Sequence, residues 1–312
     1  MNIVVPQTGI DVSKDELITS IDQGKPFILP NEVSGCQELV SRLPEGSIVH
    51  IEATGGYERL VCRMLREAGF KVVLHNPLKT RRMAQARGTR AKTDPVDARA
   101  LSRDGAQLPE GSSKSVEAQG LTDFSRAIGE ILDLIAGLKK RASVPELDES
   151  AAQLYKQAFE ELKKAVHEAQ KAFERRVRSS QAGRHYDLAM SVHAVGKLTA
   201  GVLVCELPAD FLERTPGQIS SYSGLAPVDN SSGKRVGKAH IGRGNSRLKK
   251  ALYMPAICCI RTQTWARDLY ARLRAKGRSH QSATVAVMRR LLLRVIAVLK
   301  RGTPWQDVPQ KT

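Results

Sequence analysis

The chain has 312 residues, 41% of them hydrophobic and 4% aromatic, and 49 Lys and Arg against 32 Asp and Glu give it a formal charge of +17. That length suits about two domains with buried cores, and the basic excess points to a polyanionic partner rather than to a fold. Aromatics are too sparse for base stacking on a sheet in the manner of RRM or OB modules, and no apolar run reaches the ~18–20 residues of a membrane span.

In chain order, Asn2 to Val12 is a predicted first strand, Glu16 to Asp22 a second after the SKD turn, and Lys25 to Leu29 a third closed by Pro30. A helix follows around Gly35 to Arg42, then a strand at Ser47 to Glu52, a helix from Tyr57 to Ala68 ended by Gly69, and a strand at Lys71 to His75. Three strands, then helix, strand, helix, strand, is the order of a ribonuclease-H-like core, although alternation alone suits many α/β domains. From about Ser115 to Arg178 apolar residues recur at helical spacing, and Val144 and Pro145 divide the run into two long helices. An antiparallel hairpin or coiled coil is the plain reading, with spacing domains or pairing subunits as its job. The last part opens with an apolar helix after a turn on Gly196, passes through a Gly- and Ser-rich basic loop, and continues in helices from near Ser246 and from Ser282 to Lys300. Residues 201–312 hold 20 Lys and Arg against 6 Asp and Glu, a balance of +14, so most of the net charge lies in the last third.

Five cysteines, with no CxxC and no His at zinc spacing, argue against a disulfide framework and for a reducing cytoplasm. The start MNIVVPQTGID lacks the basic and apolar regions of a secretory signal. A cytoplasmic protein, nucleoid-associated when bound to DNA, is the expectation.

Four acids then stand out: Asp11 in TGIDVSK, Glu52 in IVHIEATGGYE, and Asp94 with Asp97 in KTDPVDARA. Mg²⁺ prefers carboxylate oxygens and often keeps substrate phosphates as further ligands, and two such ions about 4 Å apart clamp the oxygens of a phosphodiester. Asp94 and Asp97, three apart at a helix start, share a helix face. Each acid also has a plainer reading. Asp94-Pro95-Val96-Asp97 is a good helix opening, Asp11 suits a strand-end turn, and Glu52 suits a cap for the TGG turn. Only the four together raise the metal reading.

The segments GIDVSK, IEATGGYE, AKTDPVDARAL and GLAPVDNSSGKRVGKAHIGRGNSRLKKALYMPA, with the ending AVLKRGTPW, resemble the IS110/IS1111 family of insertion-sequence transposases, the DEDD recombinases. The likeness spans nearly the whole chain in order. It implies a RuvC-like α/β domain over 1–112, a helical coiled-coil linker over 113–184, and an α-rich transposase domain with a nucleophilic serine over 185–312. Asp11, Glu52, Asp94 and Asp97 fall on the family's DEDD positions and would bind Mg²⁺, two ions per site. The family serine maps to Ser232, directly before Gly233, with Ser231 as the alternative nucleophile; a serine in a Gly-rich loop otherwise reads as a turn residue. The resemblance further implies a site composed of one subunit's acids and another's serine, a phosphoserine link to DNA, and a homodimer assembling to a tetramer. It also implies a noncoding bridge RNA from the element that pairs with donor and target DNA.

Lys234, Arg235, Lys238, Arg243, Arg247, Lys249 and Lys250 surround the serine region, where phosphate contacts would position nucleic acid without reading its sequence. Arg81, Arg82, Arg87, Arg90 and Lys92 precede the Asp pair and would line the metal site or touch a guide. AVGKLTAGVLVCEL resembles a helix-hairpin-helix, with Ala194 and Val195 where a G-I-G pattern is usual. A RuvC-type Holliday-junction resolvase would explain the acids without the serine. A site-specific DNA invertase would share the chemistry and differ in outcome, and a non-catalytic nucleic-acid-binding protein would need neither acids nor serine.

Overall fold

The computed structural model describes residues 5–88, 94–108, 115–228, 240–241 and 244–306. The chain divides into two compact units, Met1–Ser113 and Lys114–Thr312.

The first unit runs β1 (Gln7–Val12), β2 (Glu16–Ile21), β3 (Phe27–Pro30), α1 (Val33–Arg42), β4 (Ile48–Glu52), α2 (Arg59–Glu67), β5 (Lys71–His75), α3 (Pro77–Ala86) and α4 (Asp94–Asp104), which a 3-10 turn at Gly105–Gln107 follows. Its sheet has the order β3-β2-β1-β4-β5. β1 is antiparallel to β2 and β2 to β3, while β1, β4 and β5 are parallel. This mixed sheet has the strand order of a ribonuclease-H-like core, in line with the predicted sequence of elements. Two bounds shift for identifiable reasons. Of the predicted first strand, residues 2–4 lie outside the described residues, and β1 is observed from Gln7, just after Pro6, which has no N–H to offer a ladder. α2 begins at Arg59 rather than Tyr57 because the Glu58 carboxylate accepts from the Thr54 and Gly56 amides (3.1 and 2.9 Å) and holds 54–58 as a turn.

Side-chain alternation gives the sheet two faces. Ile10, Val12, Val49 and Ile51 pack with Cys36 and Leu39 of α1 and Val61, Cys62 and Leu65 of α2 into one apolar core. The opposite face of β1 and β4 is covered by α4, which buries Ala98 and Leu101.

The second unit is helical: α5 (Val116–Ala142), α6 (Glu149–Arg178), α7 (Gly183–Met190), α8 (Lys197–Glu206), α9 (Pro216–Tyr222), the short strands β6 (Pro227–Val228) and β7 (His240–Ile241), then α10 (Ser246–Thr262), α11 (Thr264–Ala275) and α12 (His280–Arg301). Ser115 and Asp148 cap α5 and α6 by accepting from Ala118 and Ala151 amides. The two long helices form a hairpin whose turn includes Val144 and Pro145, with Glu146 at φ 59°. Its inner half is not a free-standing linker. Leu121 and Ile128 of α5 and Val166, Phe173 and Val177 of α6 share a core with α7, α8, α10 and α12, whereas Leu134 and Leu154 toward the tip are exposed. α12 buries Val287, Leu291, Leu292, Val295 and Leu299, and its Arg294 lies 3.8 Å over Trp265 and 5.3 Å from Trp305. Among the described residues no helix is long and apolar enough to cross a membrane.

Candidate active site

The α4 face of the sheet carries the first two candidate acids, Asp11 and Glu52. Parallel pairing sets Gly9 beside His50, so Gly9 and Asp11 on β1 point the same way as His50 and Glu52 on β4. Gly9 is what lets α4 approach. A Cβ there would lie 2.2 Å from Ala98 O and 2.3 Å from Ser102 N, so only glycine admits the helix. Ser102 then pins it, donating its hydroxyl to Gln7 O (2.8 Å) and accepting from Gln23 N (2.9 Å). With α4 so held, its first turn brings Asp94 and Asp97 toward Asp11.

Electrostatics report that convergence. The Asp11 carboxyl is pushed up from 3.8 to about 6, first by burial, then by the charges of Asp94, Asp97 and Glu52. The plainer roles of two acids pass to other residues. Ser13, not Asp11, closes the β1–β2 turn by accepting from Glu16 N (2.9 Å), and Glu58, not Glu52, holds the TGG turn. Glu52 instead accepts from Thr80 Oγ1 of α3 at 2.5 Å. Glu52, Thr80, Arg81, Asp97, Leu101 and Asp104 are among the residues lining a cavity of about 550 Å³.

Four carboxylates with mutual repulsion form a donor set of hard oxygens, the chemistry that suits a hard divalent cation. Among the described residues, no group of three or more His, Cys, Asp or Glu side chains is drawn together closely enough to hold a metal ion as it stands. The acids share a field rather than a ready-made cage. Their repulsion is the force a cation would relieve.

The basic residues divide by partner. Arg81 and Arg82 are exposed, and Arg81 borders the cavity. Arg87 pairs with the buried Asp104 (3.0 Å) and donates to Gln107 (2.7 Å). Lys250 pairs with Asp133 of α5, and Lys249 is half-buried. Arg247 turns inward, forming an ion pair with Glu206 (2.8 Å) and donating to Ser125 O (3.0 Å). Arg90, Lys92, Lys234, Arg235, Lys238 and Arg243 lie outside the described residues.

β6 and β7 pair antiparallel as a short two-strand ribbon. The chain between them includes Ser231 and Ser232, which also lie outside the described residues. The feet of the ribbon are well fixed. Leu225 and Ala226 amides donate to Ser220 O (2.9 and 3.0 Å), and Asn245 N donates to Tyr222 O (3.0 Å). Gly224, at φ 67°, meets Gly244 so closely that a Cβ on Gly244 would lie 2.2 Å from Gly224 N. Nearby, α7 and α8 are joined by a short turn in which Ala194 takes φ 66°, a left-handed conformation that glycine ordinarily supplies.

Sequence reasoning missed Thr80, Ser102, Glu58 and Glu206. A glycine inside a strand pattern marks close backbone approach, and Gly9 was such a signal. The others act through partners that local pattern does not reveal.

A family model described as "Transposase" matches residues 8–143, and one described as "Transposase IS116/IS110/IS902 family" matches residues 186–271. The chain is 33% identical over 145 residues to the insertion element IS110 uncharacterized 43.6 kDa protein of Streptomyces coelicolor, a match covering 46% of this chain and 36% of that protein. It is 26% identical to the pilin gene-inverting protein of Moraxella bovis over 95% of this chain and 96% of that one. The Moraxella lacunata pilin gene-inverting protein is 27% identical over 82% and 80%.

Proposed function

The chain belongs to the IS110 family of transposases, and from that premise we propose that it cuts and rejoins DNA through a serine nucleophile aided by the four carboxylates. The observation that carries the reading is Asp11, a strand residue whose carboxyl is raised by burial and by Asp94, Asp97 and Glu52 together. Mg²⁺, when bound there, supplies positive charge to a phosphodiester in the reaction. Asp11 and Glu52 hold it from the sheet, and Asp94 with Asp97 from α4. Thr80 keeps Glu52 turned to its task.

The serine step is proposed at Ser232, with Ser231 as the alternative. Its hydroxyl oxygen forms an ester bond to phosphorus, the bond to a sugar oxygen breaks with its electron pair going to that oxygen, and one proton is lost by the serine hydroxyl while one is gained by the sugar hydroxyl that leaves. The phosphodiester energy is kept in the serine link, so rejoining needs no external supply. Lys234, Arg235, Lys238, Arg243 and Lys249 are assigned to phosphate contacts. A noncoding RNA supplies sequence recognition, and a second subunit supplies the other half of each site. Likeness to two pilin gene-inverting proteins, over 95% of this chain for one and 82% for the other, favours inversion as a second outcome of the same chemistry.

The test uses a plasmid carrying the DNA that flanks this gene, RNA transcribed from that flank, and Mg²⁺. On denaturing gels the parent forms a covalent protein–DNA adduct, Ser232→Ala forms none, and Asp11→Asn leaves the DNA uncut. Full cleavage by both Ser232→Ala and Ser231→Ala replaces this reading with hydrolysis by a resolvase. The lack of any Mg²⁺-dependent reaction replaces it with a binding module.

A further inference from the structure

We infer that Glu206 is a positioning residue that fixes the residues flanking β6 and β7 to the long helix α5; this rests on the reading that the chain between those strands supplies the nucleophile. Glu206 closes α8 and is 3% exposed. A carboxylate so deeply buried needs partners on both oxygens, and it has them. Oε1 accepts from Arg126 Nε of α5 (3.1 Å) and forms an ion pair with Arg247 Nε of α10 (2.8 Å). Oε2 accepts from Asn245 Nδ2 (2.9 Å) and Arg126 Nη2 (3.4 Å). Its backbone carbonyl accepts from Tyr222 OH (3.0 Å).

These partners are the two feet of the ribbon. Tyr222 precedes β6, and Asn245 follows β7 and is bonded to Tyr222 through the backbone. Asn245 is held at both ends of its amide, since its Oδ1 caps α10 by accepting from Arg247 N (3.0 Å) and Leu248 N (3.1 Å). Arg247 completes the link to α5 by donating to Ser125 O, and Gly129 of the same helix leaves space for its guanidinium.

An apolar plug of the same volume would pack as well, because a buried ion pair is no stronger than good apolar packing. It would not fix the direction of Asn245 or the rotation of α5 against the ribbon. Directional bonds to one carboxylate do both. Glu206 thereby couples the setting of α5 to Tyr222 and Asn245, on either side of the chain that includes Ser231 and Ser232.

The test compares the parent, Glu206→Gln and the milder Arg126→Gln, whose parent side chain is 41% exposed. On the flank-DNA plasmid with its RNA and Mg²⁺, adduct formation falls at least about tenfold in Glu206→Gln and less in Arg126→Gln, while the Kd for that DNA stays within about twofold. Amide hydrogen exchange rises at Tyr222–Leu225 and Asn245–Leu248 and stays at the parent level at Val287–Leu292 of α12. Adduct rates within twofold of the parent in both folded variants, or exchange rising equally in α12, overturn the assignment. An adduct that survives replacement of both Ser231 and Ser232 by alanine overturns the nucleophile reading beneath it. Adduct loss in the serine variants with parent-like rates in Glu206→Gln overturns the Glu206 assignment alone.

Discussion

Thr80 has one hydroxyl proton and two acceptors within reach, Glu52 Oε2 at 2.5 Å and Pro77 O at 2.9 Å. The charged acceptor at the shorter distance takes it, which leaves the other Glu52 oxygen to the proposed cation. Groups that orient ligands in this way alter metal affinity about 10–100-fold. Thr80→Val is therefore expected to raise the Mg²⁺ concentration needed for thermal stabilisation by about tenfold, with Thr80→Ser near the parent. Equal midpoints in a Mg²⁺ titration of the Tm would remove Thr80 from the site. Asp11 gives a prediction of opposite sense. Its carboxyl rests at about 6 in the fold against 3.8 unfolded, so the folded state favours the proton. That contribution to stability is complete below pH 4 and is lost as pH rises through 6. At pH 7 without metal, Asp11→Asn is expected to be more stable than the parent by about 1 kcal/mol after solvent screening. The gap should close as the pH is lowered toward 4, and Mg²⁺ should stabilise only the parent. A Tm difference that does not vary with pH would contradict the raised carboxyl.

At the scale of elements, the turn between α7 and α8 holds Ala194 at φ 66° where the helix-hairpin-helix pattern ordinarily has glycine. The left-handed conformation costs a residue with a Cβ about 1–2 kcal/mol, and glycine gives part of that back through its freer unfolded chain. Ala194→Gly should stabilise the second unit by about 0.5–1 kcal/mol in urea unfolding; a loss of stability would mean that the methyl packs. The same turn shows how elements were read. The long helices α5, α6 and α12 declared themselves by period and by the break at Val144 and Pro145. α3, α7, α9 and α11 were not foreseen, although α1, α2 and α8 of similar length were, since 7 to 12 residues hold few turns and show a period only faintly. Of the unforeseen four, α3 carries Thr80.

Across the whole molecule, two units with separate cores imply two unfolding steps. Calorimetry should resolve a transition that Mg²⁺ raises and a second that it leaves in place, with Glu206→Gln lowering only the second. A single transition moved by both would refute the separation. The acids were legible in the sequence because strand ends and a helix start are local events. Glu206 was not, because its partner Arg126 is 80 residues away in the chain and a buried carboxylate looks like any other in a row of letters. The charge of +17 announced a polyanion, yet charge alone did not separate Arg247, which is turned inward, from its neighbours. Gly9 has a consequence for how copies of such a gene lose function. The seating of α4 on the sheet depends on an atom being missing at position 9, since even a methyl carbon would lie 2.2 Å from Ala98 O. A copy that gained one carbon there would keep every acid and both serines, pass as intact by any inspection of its ligands, and be silent.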